Sequence, residues 1–169
     1  MRRTVLTFGL ISGCLAIGLM FVTVPLINAK ELGKSDVLGY SSMLLAALLV
    51  FFGIRSYREN AGGGRLTFGR GLAVGLLITV VSCACYAVGF EIMYFMVVPD
   101  FGDTFSACMV DRVRASGGTA EQIEAVTQQA VTLKRLYDNP WTNAALTFAT
   151  SFPVGLVGSL ISAAILRKR

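Results

Sequence analysis

From Gly71 to Phe90 the chain runs for 20 residues without a charged side chain, inside a longer apolar stretch over residues 67–98. About 20 apolar residues in a helix are enough to cross the hydrocarbon of a bilayer. A segment in lipid has to satisfy its own backbone hydrogen bonds, so helices and closed barrels are the available structures. Barrel strands alternate apolar and polar residues over about ten positions. Because this run is continuous and longer, it predicts a transmembrane helix.

Three other stretches are comparable, at about residues 4–27, 37–54 and 140–166. Only 15% of the 169 residues are charged, against about 25% in a typical soluble domain. The sequence therefore predicts an all-α integral membrane protein, with residues 1–169 forming a single domain of four transmembrane helices. Short loops join antiparallel neighbours. The polar loop from Asn28 to Val37 thus predicts a hairpin of spans one and two, and spans three and four form the second hairpin.

The only sizeable polar region lies between spans three and four, at about residues 100–138, and reads as two helices. Gly117-Gly118 predicts the end of the first helix, and Thr119 with Gln122 is a capping-box pattern that opens the second. One apolar stripe follows the second helix, at Ile123, Val126, Ala130, Leu133 and Tyr137. The stripe predicts packing against the partner helix or the span ends. The alternative is a helix that lies in the membrane interface or docks a partner protein.

The charges predict the orientation of the spans. Nine of the 15 basic residues, but one of the ten acids, lie on the side that holds both termini and the arginine-rich loop 55–70. Basic residues are enriched in cytoplasmic loops, so both termini are expected in the cytoplasm and the two-helix insertion outside it. Because the bases sit at helix ends, the net charge of +5 does not indicate nucleic-acid binding.

Catalytic, cofactor and metal sites are not expected. The chain has no histidine, and Cys83-Ala84-Cys85 lacks the spacing of a CxxC motif, so neither a zinc site nor a Cys–His nucleophile is expected. Cys14, Cys83 and Cys85 lie in apolar spans and are expected to be buried. Cys108, in the insertion, is either free or paired between molecules.

Two residues interrupt the apolar spans. Glu91 is the only ionisable side chain within an apolar run, and an intramembrane acid is by default a candidate functional site. It lies about 30 Å from Arg70 along the helix, which places it at the outer interface. There its carboxyl group is hydrated or paired with a loop arginine such as Arg112 or Arg114. The alternative is a site for a cation, a proton or a lipid headgroup. Pro153 removes a backbone hydrogen bond from span four and predicts a kink there.

Small residues recur every four positions in two spans. They are Gly71, Gly75, Thr79, Cys83 and Ala87 in span three, and Thr147, Ser151, Gly155, Ser159 and Ala163 in span four. Small residues let helix backbones approach closely in lipid. The stripes therefore predict packing of spans three and four within one bundle, or alternatively the seam of a homodimer.

Two segments resemble a known family. They are Leu66 to Gly75 and the tail from Tyr137 to Arg169, in which Asn139-Pro140 and the Phe152 to Leu156 core are the most specific parts. Together with the four-span layout they resemble the bacterial membrane proteins grouped as domain of unknown function 4199. The resemblance covers essentially the whole chain. It implies a bacterial inner-membrane location and supports the four-span fold, and it implies no activity.

The sequence leads to two hypotheses about function. The first is a non-enzymatic membrane protein that acts through self-association or through a protein or lipid partner, with the small-residue positions Gly71, Gly75, Gly155 and Ser159 as candidate contacts. The second is a small carrier or channel for a solute or ion that uses Glu91 and the Pro153 helix break, because transporter sites tend to use broken helices near the midplane.

Overall fold

The structure, a computed structural model, describes residues 1–26, 36–60 and 63–167, with residues 23–26 and 36–44 described in their backbone only. Within these residues the regular secondary structure consists of six long helices. They are α1 (Arg2–Leu26), α2 (Asp36–Asn60), α3 (Phe68–Ile92), α4 (Phe101–Ala115), α5 (Ala120–Tyr137) and α6 (Pro140–Leu166). A π-helical turn, Met93–Val97, continues α3. The all-helical fold predicted from the sequence is confirmed.

Local sequence signals determine where the last three helices begin and end. Gly117 adopts φ +77° after α4, and the amides of Gly117 and Gly118 donate to the carbonyls of Arg114 and Val113. This pattern is a Schellman motif, for which a glycine with positive φ is favoured. The predicted capping box opens α5, with the Gln122 amide donating to Thr119 Oγ1 over 3.3 Å.

The start of α6 follows the same logic. The side chain of Asn139 accepts a hydrogen bond of 3.0 Å from the amide of Trp141. Pro140 occupies the first turn, where its missing N–H costs nothing. The predicted start of the fourth span at about residue 140 is therefore confirmed.

Four of the helices form a bundle. The most extensive contact is between α3 and α6, and α3 also packs on α1, while α2 contacts α6, α1 and α3. Gly9 and Gly13 of α1 lie against Val81 and Cys85 of α3, so these two helices run parallel. Gly71 lies against Ala163 near opposite ends of their helices, so α3 and α6 run antiparallel. The residues joining α1 to α2 lie outside the described part of the chain.

An apolar cluster closes one end of this bundle. It contains residues from the starts of α1 and α3, the ends of α2 and α6, and the loop before α3, namely Val5, Val50, Ile54, Leu66, Val74, Ile78 and Leu166. We call this the basic end, because Arg2, Arg3, Arg70 and Arg167 lie at the same helix termini. The α4–α5 pair lies at the other end, between the end of α3 and the start of α6.

Three of the described helices are long and apolar enough to cross a membrane, over Arg2–Val22, Phe68–Val97 and Pro140–Leu166. At most 39% of the most apolar window in each is buried within the bundle, so most of this apolar surface faces outward, as expected in lipid. The predicted count of four spans is corrected to three for the described residues. The predicted second span is helical, but α2 carries Arg55, Arg58 and Glu59 in its last two turns, and its first residues are described in backbone only.

Candidate functional site

The small residues of α3 and α6 lie against each other within one chain. A Cβ added at Gly75 would lie 2.8 Å from Ser159 Oγ, and a Cβ added at Gly155 would lie 2.8 Å from Thr79 Oγ1. A Cβ at Gly71 would lie 3.3 Å from the Cβ of Ala163. The predicted seam positions are thus occupied by the α3–α6 contact, and a homodimer would need a different surface.

Hydroxyl pairs accompany these close approaches. Thr79 Oγ1 and Ser159 Oγ are 3.3 Å apart, and Ser159 Oγ also donates to the Gly155 carbonyl over 2.7 Å. Between α1 and α3, Ser82 Oγ donates to Ser12 Oγ over 3.0 Å. Hydroxyls in a lipid-embedded bundle need such partners, so these residues are explained by packing and satisfy one another.

Glu91 lies two residues before the π-helical turn, facing the first turns of α6. Its carboxyl group meets the backbone of Ala144. Its Oε1 atom is buried and has no hydrogen-bond partner among the described residues. Arg114, one of its two predicted partners, instead lies 3.5 Å from Asp111. No group of three or more potential metal ligands occurs among the described residues, so Glu91 is an isolated acid rather than part of such a set.

Asn143, which the sequence analysis did not single out, is the most buried polar residue near Glu91. Its side chain is 0% exposed, its Nδ2 donates to the Tyr137 carbonyl over 3.0 Å, and its Oδ1 accepts from Thr147 Oγ1 over 3.2 Å. The sequence signal for this residue is a side-chain amide within an apolar span, four residues after the Asn139 cap. Asn143 fixes the end of α5 to the start of α6.

An aromatic cluster connects the α4–α5 pair to the end of α3. Its central rings are those of Phe90, Tyr94, Phe101 and Tyr137, with neighbouring centroids 6.0 to 6.3 Å apart. Aromatic pairs at this separation are favourable in tilted and edge-to-face arrangements. Burial among these rings raises the pKa of Tyr137. The cluster thus brings rings of α4 and α5 against the end of α3.

Two polar contacts reinforce this attachment. The Tyr94 hydroxyl donates to Asp138 Oδ1 over 2.8 Å, and Lys134 of α5 forms an ion pair with Asp103 of α4. The hydrogen bond to Asp103 raises the pKa of Lys134. The stripe predicted on α5 is turned away from solvent, and Ala130 within it is buried. Because α5 packs chiefly on α4, the predicted pairing of the two helices is found, while the alternative of an interfacial or docking helix stays a prediction.

The structure places the remaining candidates on outer surfaces. Pro153 lies inside α6 and is exposed, and the Thr150 hydroxyl beside it donates to the carbonyls of Leu146 and Thr147. Trp141, which the sequence analysis did not discuss, is 86% exposed at the start of α6, a position typical of an interfacial anchor. Cys14 is exposed on α1, so its predicted burial is wrong.

The comparisons with known proteins agree with the sequence resemblance. A model of the family described as "Protein of unknown function (DUF4199)" matches residues 7–168. No curated protein matches the chain, and no solved structure matches it.

Proposed function

Because the chain belongs to the DUF4199 family of proteins of unknown function, we propose its function from the structure: it is a non-enzymatic membrane protein that acts by association. The partner is a second copy of the chain or another membrane protein. The contact surface we propose is the α4–α5 pair rather than the small-residue seams, because those seams are already filled within one chain.

We further propose that α1 with α2 and α3 with α6 form two antiparallel hairpins. The contacts between α1 and α2 and between α3 and α6 support this arrangement. The basic end then faces the cytoplasm, with both termini, because basic residues favour that side. The α4–α5 pair lies outside the cytoplasm, and the membrane is the bacterial inner membrane that the family resemblance implies.

The exposed apolar side chains of the α4–α5 pair carry this proposal. Val131 is 52% exposed, Leu136 40% and Phe105 38%. These residues lie outside the three apolar spans, so contact with the hydrocarbon does not account for them. Where exposed apolar side chains form one patch on a surface outside the lipid, they favour contact with a protein. The aromatic cluster attaches the pair to the end of α3.

The test is the mass of the assembly in nanodiscs or mild detergent. We expect a dimer or a stable hetero-complex, and we expect Val131→Asp to weaken it at least tenfold. Gln129→Asp is the matched control, because it adds the same charge at an exposed position of the same helix. A monomer without a partner, or equal assembly of both variants, would contradict the proposal.

A second candidate function rests on Glu91. A buried carboxyl oxygen without a partner is a ready acceptor for a proton or a cation, and π-helical turns such as Met93–Val97 are frequent at functional sites. The candidate is a carrier or channel for a small ion or solute. Its test is flux into vesicles that contain the purified protein. Glu91→Gln should abolish flux, and Pro153→Ala should reduce it, while Glu124→Gln, a surface control, should not. Flux that survives both of the first two changes would reject this candidate.

A further inference from the structure

The basic end carries a set of arginines with almost no acid among them. Its described basic residues are Arg2, Arg3, Arg55, Arg58, Arg65, Arg70 and Arg167, and its described acid is Glu59. All of them lie near the same four helix ends, because α1 and α3 begin at the end of the bundle where α2 and α6 finish. A concentration of one charge on one surface needs a counter-charge from elsewhere.

Glu59 neutralises only part of this set. Its Oε1 lies 2.9 Å from Arg55 Nε and 3.7 Å from an Nη of Arg58. The hydrogen bond from Arg55 lowers the pKa of the Glu59 carboxyl group, but this one acid offsets only one of the seven described positive charges. Arg65 and Arg70 form no ion pair within the described residues and are exposed. Their guanidinium groups are therefore available to an external anion.

The backbone beneath Arg65 and Arg70 is anchored. Leu66, next to Arg65, is 2% exposed within the apolar cluster that closes this end. A Cβ added at Gly71, next to Arg70, would contact both Leu66 and Ala163. The main chain on the inner side of both arginines is thus held by packing, and the two side chains project from a fixed base rather than from a free loop.

An apolar surface begins immediately beside these arginines. Phe68, between Arg65 and Arg70 in sequence, is exposed, as are Leu6 and Leu10 on the neighbouring helix α1. Because Gly9 and Gly13 lie against Val81 and Cys85, the parallel helix α1 begins nearly two turns further along the bundle axis than α3, so Leu6 and Leu10 lie beyond Phe68. The surface therefore changes from cationic to apolar along the helix axis within a few residues, and this apolar face continues the lipid-facing surface of the spans.

We propose that the basic end binds anionic phospholipids, with Arg65 and Arg70 contacting the headgroup phosphate and the acyl chains lying along the exposed face of α1 and α3. A guanidinium group matches phosphate oxygens with two parallel hydrogen bonds. An amphiphile with an anionic head fits a surface that is cationic at its edge and apolar beyond it, whereas a free anion or a nucleic acid would use only the cationic part. This inference goes beyond the proposed function and concerns the opposite end of the molecule.

The experiment is native mass spectrometry. The full chain in detergent is mixed with equal amounts of phosphatidylglycerol and phosphatidylcholine, and the lipids that stay bound after removal of the detergent are identified. We expect the first bound lipid to be mainly phosphatidylglycerol. A basic residue near an anionic membrane surface contributes about five-fold in affinity, so Arg65→Gln with Arg70→Gln should weaken phosphatidylglycerol binding by roughly 25-fold. The variant with lysine at both positions should retain most of the preference, which separates loss of charge from loss of structure.

The matched control is Arg114→Gln with Arg135→Gln, because it removes the same net charge from exposed positions of the α4–α5 pair. We expect this control to bind phosphatidylglycerol as the wild type does. Equal loss in both double variants, or equal retention, would overturn the proposal. Displacement of the lipid by millimolar inorganic phosphate, but not by chloride at the same ionic strength, would assign the site to a free anion and would also overturn it.

Discussion

Replacement of Gly155 by alanine should destabilise the bundle, and the same change at Gly158 should not. A Cβ at Gly155 would collide with Cγ2 of Thr79 on α3 and would lie 2.8 Å from its Oγ1. At Gly158, one turn away in the same helix, the nearest atoms are the Cβ and Cα of Ala47, at 3.4 and 3.5 Å. The second position offers ordinary contact, while the first offers no room.

The difference between the two variants isolates the steric cost. Both changes gain about 1 kcal/mol of helix propensity, so this term cancels. Overpacking a well-packed interior costs typically about 1–3 kcal/mol. Thr79 could rotate away, but it would then lose its hydrogen bond to Ser159, which is worth about 0.5–1.5 kcal/mol. We therefore expect Gly155→Ala to be less stable than Gly158→Ala by about 1–3 kcal/mol.

The assay is reversible unfolding by dodecyl sulfate in mixed micelles, followed by far-ultraviolet circular dichroism. Thr79→Ser is the second variant, because serine lacks Cγ2 but keeps the hydroxyl group that faces Ser159. In a double-mutant cycle, Thr79→Ser should recover at least half of the cost of Gly155→Ala. Equal stability of Gly155→Ala and Gly158→Ala, or no recovery in the cycle, would refute the assignment of these residues to a close α3–α6 contact.

Three further predictions concern single contacts. Tyr94→Phe removes the hydroxyl donor to the Asp138 carboxyl group, a bond worth about 1.5–3 kcal/mol because the acceptor is charged. Amide hydrogen exchange in α4 and α5 should accelerate, and unchanged exchange would count against this attachment. Asn143→Leu leaves the buried backbone carbonyl of Tyr137 without its side-chain donor. The stability should therefore fall by about 1–3 kcal/mol, measured as unfolding at a lower concentration of dodecyl sulfate. A stability equal to wild type would contradict this. The Arg55 hydrogen bond lowers the folded-state pKa of Glu59 below 4.5, so its stabilisation is present above that pH and is lost as the pH falls through the folded pKa. The difference in Tm between wild type and Glu59→Gln should thus shrink between about pH 6 and about pH 3, and a constant difference would show that the pair contributes nothing.

Helix boundaries could be predicted from the sequence because the signals are local. Gly117, the Thr119–Gln122 capping box and Asn139-Pro140 each act through hydrogen bonds within a few residues. The apolar spans were equally accessible, because their length and composition are properties of one segment. The exception is α2, in which an apolar run of moderate length is followed by Arg55, Arg58 and Glu59.

Long-range partners could not be predicted in the same way. The four-residue period of small residues identifies the face of α6 that approaches another helix backbone. A period does not show which helix that is, so the sequence is compatible with both a bundle and a homodimer. Likewise, the aromatic residues Phe90 and Tyr137 are 47 positions apart in the sequence, yet their centroids are 6.0 Å apart in the structure. Asn143 was overlooked because its burial depends on α5 returning to the start of α6.

The positions of satisfied and unsatisfied polar groups separate packing from function. In the middle of the bundle the buried hydroxyls of Thr79 and Ser159 bond each other, so substitutions there report on folding. Glu91 differs, because an unpartnered buried oxygen costs about 1–3 kcal/mol and packing does not repay that cost. If its carboxyl group served only the fold, Glu91→Gln would maintain or raise stability without changing flux or assembly. If it exchanges a proton or cation, the same variant would remove flux while stability is retained. Flux through this variant, with its stability as the control for folding, therefore distinguishes a tolerated interfacial acid from a working one.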